Sequence, residues 1–500
     1  MSSSKYTTEA RSTGRPWTEQ PSPLSSQVPG RFPIEPGLRR GYGVAMQAMD
    51  PQYQVVTDPA LRLPSWMVGL LPAGADDPGV TAAIVHLEQS DLNIVDRRMA
   101  AEREMEGARW ELEVEIGWDP DAEPVLYRVW LEPAERLEKV HLEMGYLQPE
   151  DLEASRQSRW SIGVSTRFGD RPLESFHQQI RVLNTVAPGA VVTFDISASW
   201  PRSGDWLRDT AAAQAPPSPE NLYSVHAVVD HQAEDRVWLH THGLLRCGSM
   251  ELELLDAPAE HAPTLCNLLG AAAAMTLELG PPPPDESFLV GQGLELVWLP
   301  WERGLSHVPR GAAGSHRDRD EYHSHPSGIL FAPGEKWLGL FGSRYRPLAE
   351  YLPILQDNPL LYVSNLETAR MGQLAAERLD RFAALFARYG RQDGWVFLVK
   401  LGYTVDDAEV DDDREHLWFE VHGVDAEGFE ATLLNEPYSI ARMHEGQTER
   451  HDVGLLSDWS VHCPHGSFDP DSVGQLERLM QAEAEPAPIP QARPSDPVLQ

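Results

Sequence analysis

Alternation of apolar and polar residues is the clearest pattern along this chain. Trp110 to Ile116 (WELEVEI) and Val125 to Leu131 (VLYRVWL) both show it. Successive side chains on a strand point to opposite faces, so these segments read as half-buried strands. Ser65 to Leu71 and Val191 to Ile196 are shorter apolar strands. Leu222 to Val229, Val237 to His242 and Met250 to Leu255 follow as an antiparallel meander. The period turns helical in between. Asp170-Arg171-Pro172 offers an N-cap residue and a proline for the first turn, and Leu173, Phe176, Ile180 and Leu183 share a face. Pro263 to Leu279 predicts another helix, ended by the proline run Pro281 to Pro284. Leu289 to Trp298 closes this region.

Residues 303–325 (RGLSHVPRGAAGSHRDRDEYHSH) are rich in glycine, histidine and charge, which marks a linker or long loop. Strands are expected at Ile329 to Phe331 and Trp337 to Phe341. Ser364-Asn365-Leu366-Glu367 has capping-box spacing. It precedes one amphipathic helix with Met371, Leu374, Leu379, Phe382, Phe386 and Tyr389 on a face, stopped by Gly390. Three strands follow, at Trp395 to Leu401, His416 to Val421 and Phe429 to Leu434. The acidic run Asp406 to Glu415 reads as a hairpin loop. It lacks the glycine and terminal glutamate spacing of an EF-hand.

These elements predict an α+β protein of two mixed domains with mainly antiparallel sheets. Residues 1–45 and 481–500, aperiodic and rich in proline and small or polar residues, are expected to be disordered tails. The expected map is an N-terminal domain at 46–302, the linker at 303–325 and a C-terminal domain at 326–480.

Two stretches carry a resemblance. The acidic loop, HLWFEV, LLNEP and GLLSDW within Asp411 to Trp459 resemble the bacterial domain of unknown function DUF2314. LYSVHAVVD and VWLHTHGLLRCGSMELELLD resemble DUF4026, which often precedes that module. The resemblances cover roughly 170–300 and 360–465. They imply a bacterial origin and a two-domain layout, and they assign no catalytic residue.

Five hundred residues is more than one core ordinarily spans, which agrees with several domains. The formal net charge of −35 disfavours nucleic acid and anionic membranes, since both need a basic footprint. A cationic protein is the electrostatic match. Three widely separated cysteines, Cys247, Cys266 and Cys463, offer no disulfide framework. The N-terminal stretch has no apolar core of a signal peptide, and no run approaches the roughly 18 apolar residues of a membrane span. A cytoplasmic location is the expectation.

Candidate chemistry is densest in WLHTHGLLRCGSMELELLD, residues 238–256. His240 and His242 fall on one face of a strand, where two imidazoles can share a metal ion. A third ligand is expected from Cys247 in the turn, or from Glu251 or Glu253 on the returning strand. Zinc accepts such nitrogen, sulfur and oxygen donors. Hairpin register decides whether the glutamates join the histidine face. Alternatively, Arg246 pairs with Glu251 or Glu253 in a structural ion pair. Two weaker clusters are His323-Ser324-His325-Pro326, which resembles the core motif of deubiquitinase-type zinc metalloproteases but lacks their spaced aspartate, and His462-Cys463-Pro464-His465. The common catalytic fingerprints (P-loop, G-x-S-x-G elbow, H-E-x-x-H) are absent.

The functional expectation is therefore a non-enzymatic binding protein without a resident cofactor, in one version an immunity-like neutraliser of a basic partner. A metal-dependent hydrolase with zinc at His240 and His242 is one alternative. A regulatory protein for a small ligand is the other.

Overall fold

The computed structural model describes residues 51–484, apart from 57, 76, 138–141, 144–146, 231–232, 321–322, 324, 335–343, 357–360, 362–364 and 409–412. The expected N-terminal tail, the strand at Trp337 to Phe341 and Ser364 of the capping box lie outside the described residues. Three sheets, with helices packed on them, make the chain an α+β protein.

The first sheet holds β1 (Ser65–Leu70), β2 (Ile94–Met99), β3 (Trp110–Ile116), β4 (Val125–Pro133), β5 (Trp160–Thr166), β6 (Val192–Asp195) and β7 (Trp200–Ser203), in the order β2-β3-β4-β5-β1-β6-β7. All its pairs are antiparallel. β5 is buried along its whole length, as a central strand should be. Helices α1 (Val80–Gln89), α2 (Pro149–Gln157), α3 (Pro172–Val186) and α4 (Gly204–Ala212) accompany the sheet. α3 turns Phe176, Ile180 and Leu183 inward, as its period predicts. Arg171 rather than Asp170 holds its N-cap position, with Pro172 opening the helix. Gly163 on β5 is required by packing, because a Cβ there would fall 2.0 Å from the Trp130 indole.

The second sheet holds β8 (Ser224–Asp230), β9 (Ala233–His242), β10 (Glu251–Pro258), β11 (Ser287–Gly291), β12 (Leu294–Pro300), β13 (Ser327–Pro333) and the short β14 (Tyr345–Arg346). The order is β11-β12-β13-β10-β9-β8, with β14 beside β13. Leu289 to Trp298 thus belongs to a hairpin, turned at Gly293 where φ is +73°. β13 lies between β12 and β10, so residues 303–325 join neighbouring strands of one sheet. Its buried SGILFA run explains why a central strand follows so polar a loop.

Helix α5 (Ala262–Leu279) covers this sheet with Leu265, Leu268, Leu269, Ala272 and Ala273. The longer span Ala259–Leu279 is, by length and composition, apolar enough to cross a membrane, contrary to the expectation that no run approaches that size. Here those apolar residues meet the core of the sheet. One continuous apolar cluster joins the first two sheets, from Met67 and Val129 to Leu239 and Leu330.

The third sheet has its own core around Phe382, Phe397, Phe419, Phe429 and Trp459. It comprises β15 (Val396–Thr404), β16 (Arg414–Asp425), β17 (Gly428–Leu433), β18 (Thr448–Asp452), β19 (Leu456–Cys463) and β20 (Gly466–Phe468), in the order β18-β17-β16-β15-β19-β20. The three expected strands and their acidic hairpin connection correspond to β15, β16 and β17. The expected single helix is two, α6 (Asn365–Glu377) and α7 (Leu379–Tyr389). They part at Arg378, whose guanidinium turns inward and donates to the carbonyls of Pro470 and Asp209. A last helix, α8 (Val473–Ala484), runs into the expected C-terminal tail. Arg381 reaches Asp209 at 3.4 Å and Arg478 reaches Asp151 at 3.3 Å, tying this module to α4 and α2.

Candidate metal centre

The register of the second sheet assembles a row of polar side chains. His226 on β8 stands directly across from His240 on β9, and Glu253 on β10 stands across from His240 on the other side. His242 lies two residues further along β9, hence on the same face. The ligand atoms of His226, His240 and His242 all lie within 4.8 Å of one another. His240 and His242 approach with their Nε2 atoms 3.0 Å apart. Two nitrogens bound to one tetrahedral zinc, at about 2.0–2.1 Å each, sit roughly 3.3 Å apart. The spacing therefore suits a shared ion.

The loop after β12 delivers a fourth imidazole. His323 packs with its ring centroid 4.9 Å from that of His240 and 5.6 Å from that of His242. Its Nδ1 lies 2.7 Å from Asp320 Oδ1, and its backbone N–H donates to the same carboxylate. Arg319 anchors the segment by donating to the His323 carbonyl at 3.2 Å and to Glu253 Oε1 at 3.0 Å. Trp238 forms the floor, 4.3 Å from the His240 ring, and donates through Nε1 to Glu253 Oε2 at 3.1 Å.

Burial sets the protonation of this cluster. It drives the His240 imidazole well below its usual range, helped by the neighbouring imidazoles. It pushes His242 down to about 3 for the same reasons. Both rings are thus neutral at physiological pH, the form that ligates metals. His240 Nδ1 is also buried without a hydrogen-bond partner among the described residues. His240 Nε2 is the atom that approaches His242, so Nδ1 is the ring's second nitrogen and its unpaired burial carries a cost.

The expected ligand set needs correction. His240 and His242 are in the cluster; Cys247 and Glu251 are elsewhere. Regular β9–β10 pairing ends at His240 and Glu253. Beyond it Glu251 turns into the loop, accepting from Thr241 Oγ1 at 2.7 Å, Gly243 N at 2.9 Å and Leu245 N at 3.3 Å. Cys247 is buried against the Gly243 carbonyl, and burial pushes its thiol up to about 12, which disfavours a thiolate ligand. Glu253 shares the histidine face but is engaged by Arg319 and Trp238. Arg246 pairs with neither glutamate. It forms a bidentate pair with Asp195 at 2.8 and 2.6 Å, in the core between the first two sheets.

Family models place these elements. The models of the N-terminal and C-terminal parts of DUF4026, each described as a protein of unknown function, match residues 67–217 and 225–331. That of DUF2314, described as an uncharacterized protein conserved in bacteria, matches residues 392–469. This chain is a DUF4026 protein carrying a DUF2314 module. No curated protein and no solved structure matches it.

All four imidazoles of the cluster fall inside the C-terminal DUF4026 match. The first two sheets are the DUF4026 region and the third is the DUF2314 module. In that module His462 is held by Ser467 Oγ at 2.6 Å in the β19–β20 hairpin. Among the described residues, the three sheet histidines form the one group of three or more donors close enough for an ion. Two signals for the missed imidazoles were present in the sequence. His226 lies in the strand that pairs with HTH, and the HSHP motif supplies His323. Only the fold shows that they meet.

Proposed function

We propose that this DUF4026 protein binds one divalent transition-metal ion, of the zinc class, at His226, His240 and His242. The observation that carries the reading is the convergence of three nitrogen donors within 4.8 Å on one sheet face. The 3.0 Å approach of the His240 and His242 Nε2 atoms and the depressed basicity of those two rings support it. Imidazole sets favour zinc, copper and nickel over calcium and magnesium, which take oxygen ligands. The reading makes the metal the ligand of a binding protein.

Elemental analysis of untagged full-length protein, followed by zinc titration of the apo form, tests it. Near-stoichiometric zinc, lost in His240→Ala and His242→Ala, is expected. No metal after purification and no saturable zinc binding would end the reading.

A metal-dependent hydrolase is the second reading. Three sheet imidazoles leave a fourth position where water can be activated, and that favours it. Against it, the buried carboxylate across from His240, Glu253, is held by Arg319 and Trp238 and is poorly placed to act as a base.

A further inference from the structure

We propose that His323 is the fourth ligand, so that four imidazoles enclose the ion and water is excluded from it. The inference rests on the metal-binding reading above and decides what the metal does: it pins the loop before β13 to the sheet.

Ring spacing is the first argument. Imidazoles around a tetrahedral ion, with bonds of about 2.0–2.1 Å, place their ring centroids roughly 5 Å apart. His226–His242 and His240–His242 are each 4.8 Å, His240–His323 is 4.9 Å, His242–His323 is 5.6 Å and His226–His240 is 5.9 Å. Five of the six ring pairs among the four imidazoles thus lie within about 1 Å of the value for a single shared ion.

Tautomer is the second. Asp320 takes the Nδ1 side of His323, leaving Nε2 as the ring nitrogen for a ligand. A carboxylate behind a ligating histidine fixes the ring and raises its basicity. The same carboxylate accepts from the His323 backbone N–H, so ring and backbone are oriented together.

Anchoring is the third. Arg319 has only 4% of its side chain exposed, lies 4.5 Å over Trp301 and 5.2 Å over Trp238, and ties the His323 carbonyl to Glu253. The loop residue that carries the imidazole is therefore positioned by contacts independent of any ion. Four neutral imidazoles leave the charge of a divalent ion intact. Asp320 and Glu253 are the carboxylates beside it.

A closed four-nitrogen centre holds metal without generating hydroxide, because no coordination position is left for water. Its role is to join loop and sheet.

The test uses full-length apo protein loaded with zinc or cobalt(II). Competition titration gives affinity, and X-ray absorption of the zinc form gives the ligand set. Four nitrogen ligands are expected in the wild type, and three nitrogens with one oxygen in His323→Ala. That variant should bind zinc at least tenfold more weakly, and Asp320→Asn about 10–100-fold more weakly, as outer-shell changes do. A folded His323→Ala with wild-type affinity, or a wild-type centre with a water-derived oxygen, overturns this proposal and leaves the metal-binding reading standing. No zinc in the wild type overturns both. Asp320→Asn keeps the imidazole, so its cobalt spectrum reports on positioning even if His323→Ala folds poorly.

Discussion

His226 stands directly across the β8–β9 ladder from His240, their ring centroids 5.9 Å apart. Cross-strand partners share a face, so the register selects the donor set. It brings in His226 and leaves Cys247 in the turn. In a competition titration against a chromophoric chelator, His226→Ala should weaken zinc binding more than about tenfold, beyond the lower end of outer-shell effects. Cys247→Ala should leave affinity unchanged. Equal affinity of His226→Ala and wild type would remove His226 from the set, and a loss in Cys247→Ala would restore the thiol to it.

Arg246 is fully buried, with Asp195, Ser65 Oγ and the Leu222 carbonyl accepting from its guanidinium. It crosses from the second sheet to the first. Removing its carboxylate leaves an uncompensated charge in the core, which costs about 3–5 kcal/mol. Asp195→Ala should therefore lower the urea midpoint of the DUF4026 region sharply. Adding Arg246→Met should restore part of the loss, because no charge is then stranded. A single-variant loss under about 1 kcal/mol would show that water reaches the guanidinium.

Local pattern explains what was legible before the fold was known. WELEVEI and VLYRVWL became strands as their period of two predicts, but β3 buries Glu111, and β10 buries Glu251 and Glu253, as well as their apolar residues. The amphipathic run after Asn365 kept its face but not its continuity. Arg378 breaks it to reach carbonyls at Asp209 and Pro470, which are distant in sequence. The polar loop 303–325 read as a linker because composition reports solvation, whereas strand order depends on partners. β13 pairs with its sequence neighbour β12 on one side and, in parallel, with the distant β10 on the other. His240 and His242 share one strand and were visible in the sequence, whereas His226 depends on the β8–β9 register and His323 on where the loop before β13 lies.

The loop beneath His323 turns at Gly314, where φ is +84° and a Cβ would lie 2.6 Å from Trp238 Cγ. Trp238 in turn contacts the rings of His240 and His323. Gly314→Ala should cost about 1–3 kcal/mol through overpacking, beyond the backbone strain, and should weaken zinc binding as the indole shifts. Gly311 is the control. Its φ is +80°, but nothing lies within 4 Å of a Cβ there, so Gly311→Ala should cost only about 1–2 kcal/mol of strain and leave zinc affinity intact. Equal effects of the two variants on zinc affinity would break the link between the indole and the centre.

Asp458 in the DUF2314 module gives a prediction independent of metal. Burial raises its carboxyl from 3.8 to about 7; the Trp459 N–H and Lys400 oppose the rise, and Asp469 and Asp471 add to it. A folded-state value above the unfolded one means that the fold binds the proton more tightly. The protonated group favours folding below about pH 4. That contribution fades as pH rises from 4 to 7 and becomes a fixed penalty above 7. Asp458→Asn carries no charge and keeps an oxygen to accept from the Trp459 N–H, a bond of 2.8 Å in the wild type. The variant should match the wild type near pH 4 and gain on it steadily up to pH 8. The full shift corresponds to about 4 kcal/mol, and partial solvent screening reduces the expected gain to about 1–2 kcal/mol. Urea midpoints at pH 4.5, 6 and 8 provide the measurement. A wild type that gains on Asp458→Asn with rising pH would show instead that Lys400 holds Asp458 ionised in the folded module.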